Sequence, residues 1–129
     1  MIAKDIMTRD VITVSPTMKI KDLAMTLIKN QLSGAPVAGK DGKIVGIVSE
    51  ADIVAKKGKD VRAIMSKKVI SIGEDTAVEA IAQLMTTHAI KRLPVMNGAK
   101  IVGIVSRADI VSAIALGKHI ALHTPIYDL

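Results

Sequence analysis

The sequence predicts an α/β (α+β) fold in which two β-α-β-β-α units pack sheet to sheet about a pseudo-twofold axis. Three observations carry that expectation. Residues 6–54 and 64–111 repeat one another with a single one-residue gap near Gly42 and Gly98. Within them KIVGIVS-x-ADIV recurs letter for letter, at Lys43 to Val54 and at Lys100 to Val111. Recurrence of this kind signals two copies of one supersecondary unit. Each half has about 55–65 residues, a size at which burial is marginal, so the halves are expected to share one core.

Each copy opens with a β-branched segment, Val11-Ile12-Thr13-Val14 and Val69-Ile70-Ser71-Ile72, which favours a strand. A turn follows, with Thr17 or Asp75 placed to cap the next helix. In that helix Ile20, Leu23, Ala24 and Leu27 fall at i, i+3, i+4 and i+7, and Val78, Ile81, Ala82 and Met85 match them. This spacing makes one apolar stripe on each helix. Pro36-Val37 and Pro94-Val95 then begin short strands, and Gly-containing turns lead into the return strands Ile44 to Val48 and Ile101 to Val105. The return strands are apolar almost throughout, which predicts burial on both faces. A second helix starts after Ser49 and after Ser106. Lys56 to Asp60 reads as a linker, giving repeats at 1–57 and 58–117 and a tail at 118–129, where Pro125 opposes a long helix.

The chain has 129 residues, no cysteine and a formal net charge of +6. The charge favours an anionic partner: a nucleotide, a nucleic acid or an acidic surface. Tyr127 is the only aromatic residue, so base stacking on rings, the usual grip on single strands, is not available. The lack of cysteine excludes disulfides, thiol nucleophiles and cysteine metal sites. No apolar run approaches the roughly 18 residues that span a bilayer, and the N-terminus shows no secretory h-region. The expectation is a cytoplasmic protein without a membrane partner.

The recurring Ser-x-x-Asp, Ser49 with Asp52 and Ser106 with Asp109, is the central candidate for chemistry. It lies where a buried strand passes into a helix, whose first N–H groups attract anions. The Ser hydroxyl there can touch a phosphate, and the Asp one turn later can accept from both ribose hydroxyls. The same spacing is also close to a capping box, in which Ser caps the helix and the acid reaches back to its N–H. The two roles are compatible. Gly46 and Gly103, three residues before each Ser, allow close approach of a ligand or of neighbouring backbone.

Gly-Ile-Val-Ser-x-x-Asp, preceded by a Pro-Val strand and a Gly turn and repeated in tandem, resembles a pair of cystathionine-β-synthase (CBS) domains, a Bateman module. The resemblance spans roughly Met1 to Ala115. It implies a stand-alone, non-catalytic regulatory module that requires no cofactor. AMP, ADP, ATP or S-adenosylmethionine would bind in clefts between the repeats. By the same resemblance Asp52 and Asp109 bind ribose, and Ser49 and Ser106 lie near ribose or phosphate. The opening strands (Thr13, Ile70, Ser71) and the segments at the prolines (Ser33, Ala35, Pro36, Pro94) hold adenine through backbone and aliphatic contacts. Lys91 and Arg92 match a place where the family often puts phosphate-contacting residues; their alternative is a solvated pair. The first repeat carries Ser33-Gly34 there, a departure that implies unequal clefts. In the family's arrangement Lys91 and Arg92 face the Asp52 cleft.

Other features carry weaker signals. His119 and His123 stand at i, i+4, but Ile120 occupies the place of the Glu in H-E-x-x-H, so they read as incidental to the tail. His88 falls near a helix C-terminus, where it complements the dipole or lies close enough to Lys91 for phosphate contact. No His is placed beside either Ser, so a hydrolase triad is unsupported. The run Lys56, Lys57, Lys59, Arg62, Lys67 and Lys68 is a solvated face or, in the alternative reading, a nucleic-acid contact. Met25 and Ile28 lie beside the main stripe and predict an apolar patch, hence a homodimer. A regulated protein partner acting in trans also fits a bare sensor module.

Overall fold

The computed structural model describes residues 1–117; His119, His123, Pro125 and the rest of the tail, with the expectations for them, lie outside the described residues. The first repeat contributes α1 (Ala3–Ile6), α2 (Ile20–Lys29), β1 (Gly34–Ala38), β2 (Ile44–Ser49) and α3 (Glu50–Ala55). The second contributes α4 (Val61–Ile64), β3 (Ile72–Gly73), α5 (Val78–His88), β4 (Arg92–Asn97), β5 (Lys100–Ser106) and α6 (Arg107–Ala115). β1 and β2 form an antiparallel pair, and β3, β4 and β5 lie side by side with β3 parallel to β4. The α/β class read from the sequence holds.

The helical stripes fall where their period puts them. Leu23 and Leu27 of α2 are buried, as are Val78, Ile81 and Met85 of α5. The caps do not. Lys19 and Ala77 are the N-cap residues, without side-chain cap bonds. The helices start two residues later than Thr17 and Asp75 reach. Thr17 turns instead to Ser15, with the two hydroxyls 2.9 Å apart.

Both opening strands are shorter than expected. Residues 11–14 make one parallel bridge, Val14 to Val37, and the second copy keeps only Ile72–Gly73. Val14 and Ile72 reach the core, while Ile12 and Thr13 are exposed, so β-branched composition has no half-buried surface to fit there. The return strands are not buried on both faces either. Gly46 and Val48 are buried, but Val45 before them is 40% exposed and Ile47 between them is only half-buried. Burial alternates because the strand has a core on one side.

Instead of one shared core, the described residues form two buried clusters, and each recruits the opening helix of the other repeat. One compact unit joins Met1–Val11 to Ile70–Gly98 and to the chain from Val102; the other joins Ile12–Val69 to Ala99–Ile101. In the α5–α6 unit, Ala3 and Met7 pack with Ile72, Val78, Ile81 and Leu93. In the α2–α3 unit, Val61 and Ile64 pack with Val14, Leu23, Leu27 and Val37.

The exchange is anchored by matching backbone bonds. The Ala3 and Lys4 N–H groups donate to Thr76 and Glu74 carbonyls at 2.8 and 3.0 Å. Val61 and Arg62 N–H groups donate to Met18 and Pro16 carbonyls, both at 2.9 Å. These bonds satisfy first-turn donors that a four-residue helix cannot satisfy itself.

Gly46 and Gly103 serve this exchange. A Cβ on Gly103 would stand 2.5 Å from Met7 Sδ, and one on Gly46 would stand 2.7 Å from both Met65 Sδ and the Ser66 carbonyl. Next to them, Thr8 bridges Ile104 and Ser66 bridges Ile47. Of the two uses open to these glycines, the structure fills both positions with neighbouring chain.

Candidate functional site

Both Ser-x-x-Asp motifs form complete capping boxes. The Ser49 N–H donates to Asp52 Oδ2 at 2.9 Å, and the Asp52 N–H donates to Ser49 Oγ at 3.4 Å. The Ser106 N–H donates to Asp109 Oδ2 at 2.8 Å, and the Asp109 N–H donates to Ser106 Oγ at 3.1 Å. These bonds fix the carboxylates at the head of α3 and α6, each with Oδ2 turned to the backbone. The second oxygen of each acid is treated differently. Lys56 Nζ lies 2.9 Å from Asp52 Oδ1 and also donates to the Ile64 carbonyl at 3.1 Å. Among the described residues no ion pair engages Asp109, and its i+4 position is Ala113, a buried core residue.

Each pre-proline segment is tied to the Ser-x-x-Asp helix of its own repeat. The Glu50 N–H donates to the Ser33 carbonyl at 2.9 Å, and the Arg107 N–H donates to the Lys91 carbonyl at 2.8 Å. Ser33 is therefore brought beside the Ser49 box and Lys91 beside the Ser106 box. The bond also sets Lys91 next to Arg107, a second cation that no motif in the sequence marks. Arg92 is exposed at the start of β4.

The remaining candidates divide by burial. Thr13 and Ser71 are exposed and Ile70 is half-buried in the opening segments. Ala35, Pro36 and Pro94 are buried, and the Pro36 carbonyl already accepts from the Val14 N–H at 3.0 Å. Any contact these three make outside the core runs through backbone groups not yet engaged. Met25 and Ile28 are 61% and 76% exposed, as the patch required, and Val54 joins them at 88%. His88 is the last residue of α5 and is exposed.

A pocket of about 400 Å³ opens between α5 and α6. Ala82, Ala89, Ile110 and Val111 line it, with Lys91 and Arg107 among its walls. Ala82 on α5 and Ala89, the left-handed residue that caps it, both have small side chains that leave room for the groove.

Among the described residues no helix is long and apolar enough to cross a membrane. The chain is similar to known proteins over most of its length. An uncharacterised protein of Methanocaldococcus jannaschii is 33% identical, with 88% of this chain and 91% of that protein covered. The CBS domain pair of protein MJ0100, solved with 5′-methylthioadenosine and S-adenosyl-L-methionine, superposes with a TM-score of 0.85 at 32% identity, covering 92% of this chain and 98% of that one. CBSX2, solved with AMP, superposes with a TM-score of 0.85 at 26% identity over the same shares. The model of the CBS domain matches twice, at residues 3–58 and 61–116. The repeat, its two capped Ser-x-x-Asp motifs and these matches agree: the chain belongs to the CBS-domain family and carries two CBS domains in tandem.

Proposed function

We propose that the chain is a regulatory module that binds adenosine-containing ligands, AMP, ADP, ATP or S-adenosylmethionine, and does so without catalysing a reaction. The observation that carries this reading is the use of only one carboxylate oxygen in each capping box. Oδ2 of Asp52 and of Asp109 accepts the Ser N–H, which leaves Oδ1 outside the box, paired with Lys56 at Asp52 and in no ion pair among the described residues at Asp109. A fixed carboxylate oxygen at the head of a helix suits the paired hydroxyls of a ribose, and hydrogen bonds to a charged acceptor are the stronger kind. The Asp52 side chain is 17% exposed, so water competes weakly there.

Solved relatives support the ligand class, since one holds AMP and another holds S-adenosyl-L-methionine. The exposed residues Lys91 and Arg92 supply charge for phosphate groups in this reading. The module works as a homodimer whose arrangement shifts when ligand binds, and it acts on a protein partner in trans in the cytoplasm. Calorimetric titration with AMP, ATP and S-adenosylmethionine tests the ligand class. Saturable binding of at least one, lost in the Asp52→Ala, Asp109→Ala double variant, is the expected result. Heat with none of them, together with salt-sensitive binding of an oligonucleotide, would replace this reading by a nucleic-acid one.

A further inference from the structure

We propose that Lys56 is a latch on the first Ser-x-x-Asp acid: its ammonium occupies the oxygen of Asp52 that a ribose needs, and adenosine ligands bind there by displacing it. At the equivalent place the second repeat carries Ala113, which cannot hold Asp109. The inference rests on the adenosine reading above and adds what regulates one of its two acids.

Lys56 is the C-cap residue of α3, and its N–H donates to the Asp52 carbonyl at 3.0 Å. That bond seats the lysine one turn beyond the acid, where side chains at i and i+4 meet. Nζ then lies 2.9 Å from Asp52 Oδ1. Oδ2 already accepts from the Ser49 N–H at 2.9 Å and from Ser49 Oγ at 3.2 Å, so Oδ1 is the oxygen left for further donors. The same Nζ donates to the Ile64 carbonyl at 3.1 Å. Ile64 is the last residue of α4, and the final carbonyls of a helix have no partner within it. This second acceptor gives the lysine a place to remain when it leaves Asp52. All three residues belong to the α2–α3 unit.

An ammonium has donors only, and a ribose hydroxyl facing a carboxylate also donates, so both ask for the same oxygen. The contest is one a ligand can win. The Lys56 side chain is 48% exposed, and ion pairs open to water are weak. Affinity at Asp52 is then lowered by the fraction of molecules in which the latch is closed. No ion pair engages Asp109 among the described residues, and Ala113 is part of the buried core of its own unit. The two acids therefore answer at different ligand concentrations, Asp109 at the lower.

The test uses adenosine, which is uncharged, on full-length chains read by calorimetry. The Asp109→Ala chain reports the Asp52 site alone, and the Asp52→Ala chain reports the Asp109 site alone. Lys56→Met keeps the length of the side chain and removes its charge. Added to the Asp109→Ala chain, it is expected to tighten adenosine about two- to fivefold. The same change is expected to give no gain for 2′,3′-dideoxyadenosine, which has no hydroxyls to compete, and none in the Asp52→Ala chain. Lys56→Arg keeps the ion pair and is expected to keep the weaker binding. Added salt is expected to tighten adenosine in the Asp109→Ala chain but not in its Lys56→Met derivative, because screening reaches the half-exposed pair. Circular dichroism melts confirm that each variant remains folded. An unchanged affinity in Lys56→Met, or equal gains for adenosine and its dideoxy form, would overturn the latch and leave the adenosine reading standing. A wild-type chain that takes up no adenosine would overturn the latch, and if AMP, ATP and S-adenosylmethionine also fail to bind it, the adenosine reading falls as well.

Discussion

Lys56 holds Asp52 by its Oδ1 at 2.9 Å, and the matching position beside Asp109 is Ala113. Two motifs identical in five of six letters around the acid therefore differ in what the acid has to give. One carboxylate is committed at both oxygens, the other at one. The distinction comes from a residue one helical turn beyond the motif, where i and i+4 side chains meet.

If ribose hydroxyls bind at Asp52, they compete with Lys56. Replacing Lys56 by Ala is expected to tighten adenosine binding, with a stability change under about 1 kcal/mol, because the lysine is half exposed. Calorimetry on the variant checks this. A fall in affinity would instead make Lys56 a ligand contact.

Asp109→Ala is expected to do two things together. Loss of the reciprocal cap costs roughly 1 kcal/mol of stability, and loss of the ribose acceptor weakens adenosine itself. Denaturant melts and titration of the same preparation separate the two. An intact affinity with the stability loss alone would leave the acid a cap and nothing more.

Replacing Lys91 and Arg92 together by Ala is expected to weaken AMP far more than adenosine, because charge-assisted bonds to phosphate are about twice as strong as neutral ones. Paired titrations with the two ligands decide it. Equal losses, or none, would remove the phosphate role.

Alanine at Gly46 or Gly103 should destabilise the protein, against the usual gain of a few tenths to about 1 kcal/mol for such a change where the backbone allows it. Gly46 should cost more, roughly 1–3 kcal/mol, since the Ser66 carbonyl 2.7 Å away is backbone and cannot rotate clear. At Gly103 the obstacle is the Met7 side chain. Met7→Ala should therefore relieve part of the Gly103→Ala cost. A double-mutant cycle by denaturant unfolding measures that coupling, and strict additivity would show that the two do not share the space.

The isolated fragment 58–117 is expected to melt far below the full chain or fail to fold. It lacks Ala3 and Met7 from its own cluster and keeps Val61 and Ile64 without theirs. Circular dichroism with temperature reads the difference. A fragment as stable as the whole would mean that the exchanged helices contribute little.

The sequence by itself determined the duplication, the α2 and α5 stripes, the hairpins and the placement of Ser49 and Ser106 at helix starts. All of these depend on neighbours within a few positions: a 3.6-residue period, a turn glycine, a Ser three residues before an Asp. The Asp52–Lys56 pair is equally legible, since the two stand at i, i+4. Where local propensity had to be completed by a partner surface, the sequence misled. The opening strands shrank to Val14 and to Ile72–Gly73 because only one face of each finds a core. Only the tertiary structure decided that α1 and α4 pack in the core of the opposite repeat, and hence that Gly46 and Gly103 lie under a neighbouring methionine. Two nearly identical repeats offer two nearly identical docking places for each opening helix. Nothing in the repeated letters says which place is taken, because that choice depends on packing between residues distant in the chain, as in Val61 with Met18, Ala3 with Thr76 and Met7 with Gly103.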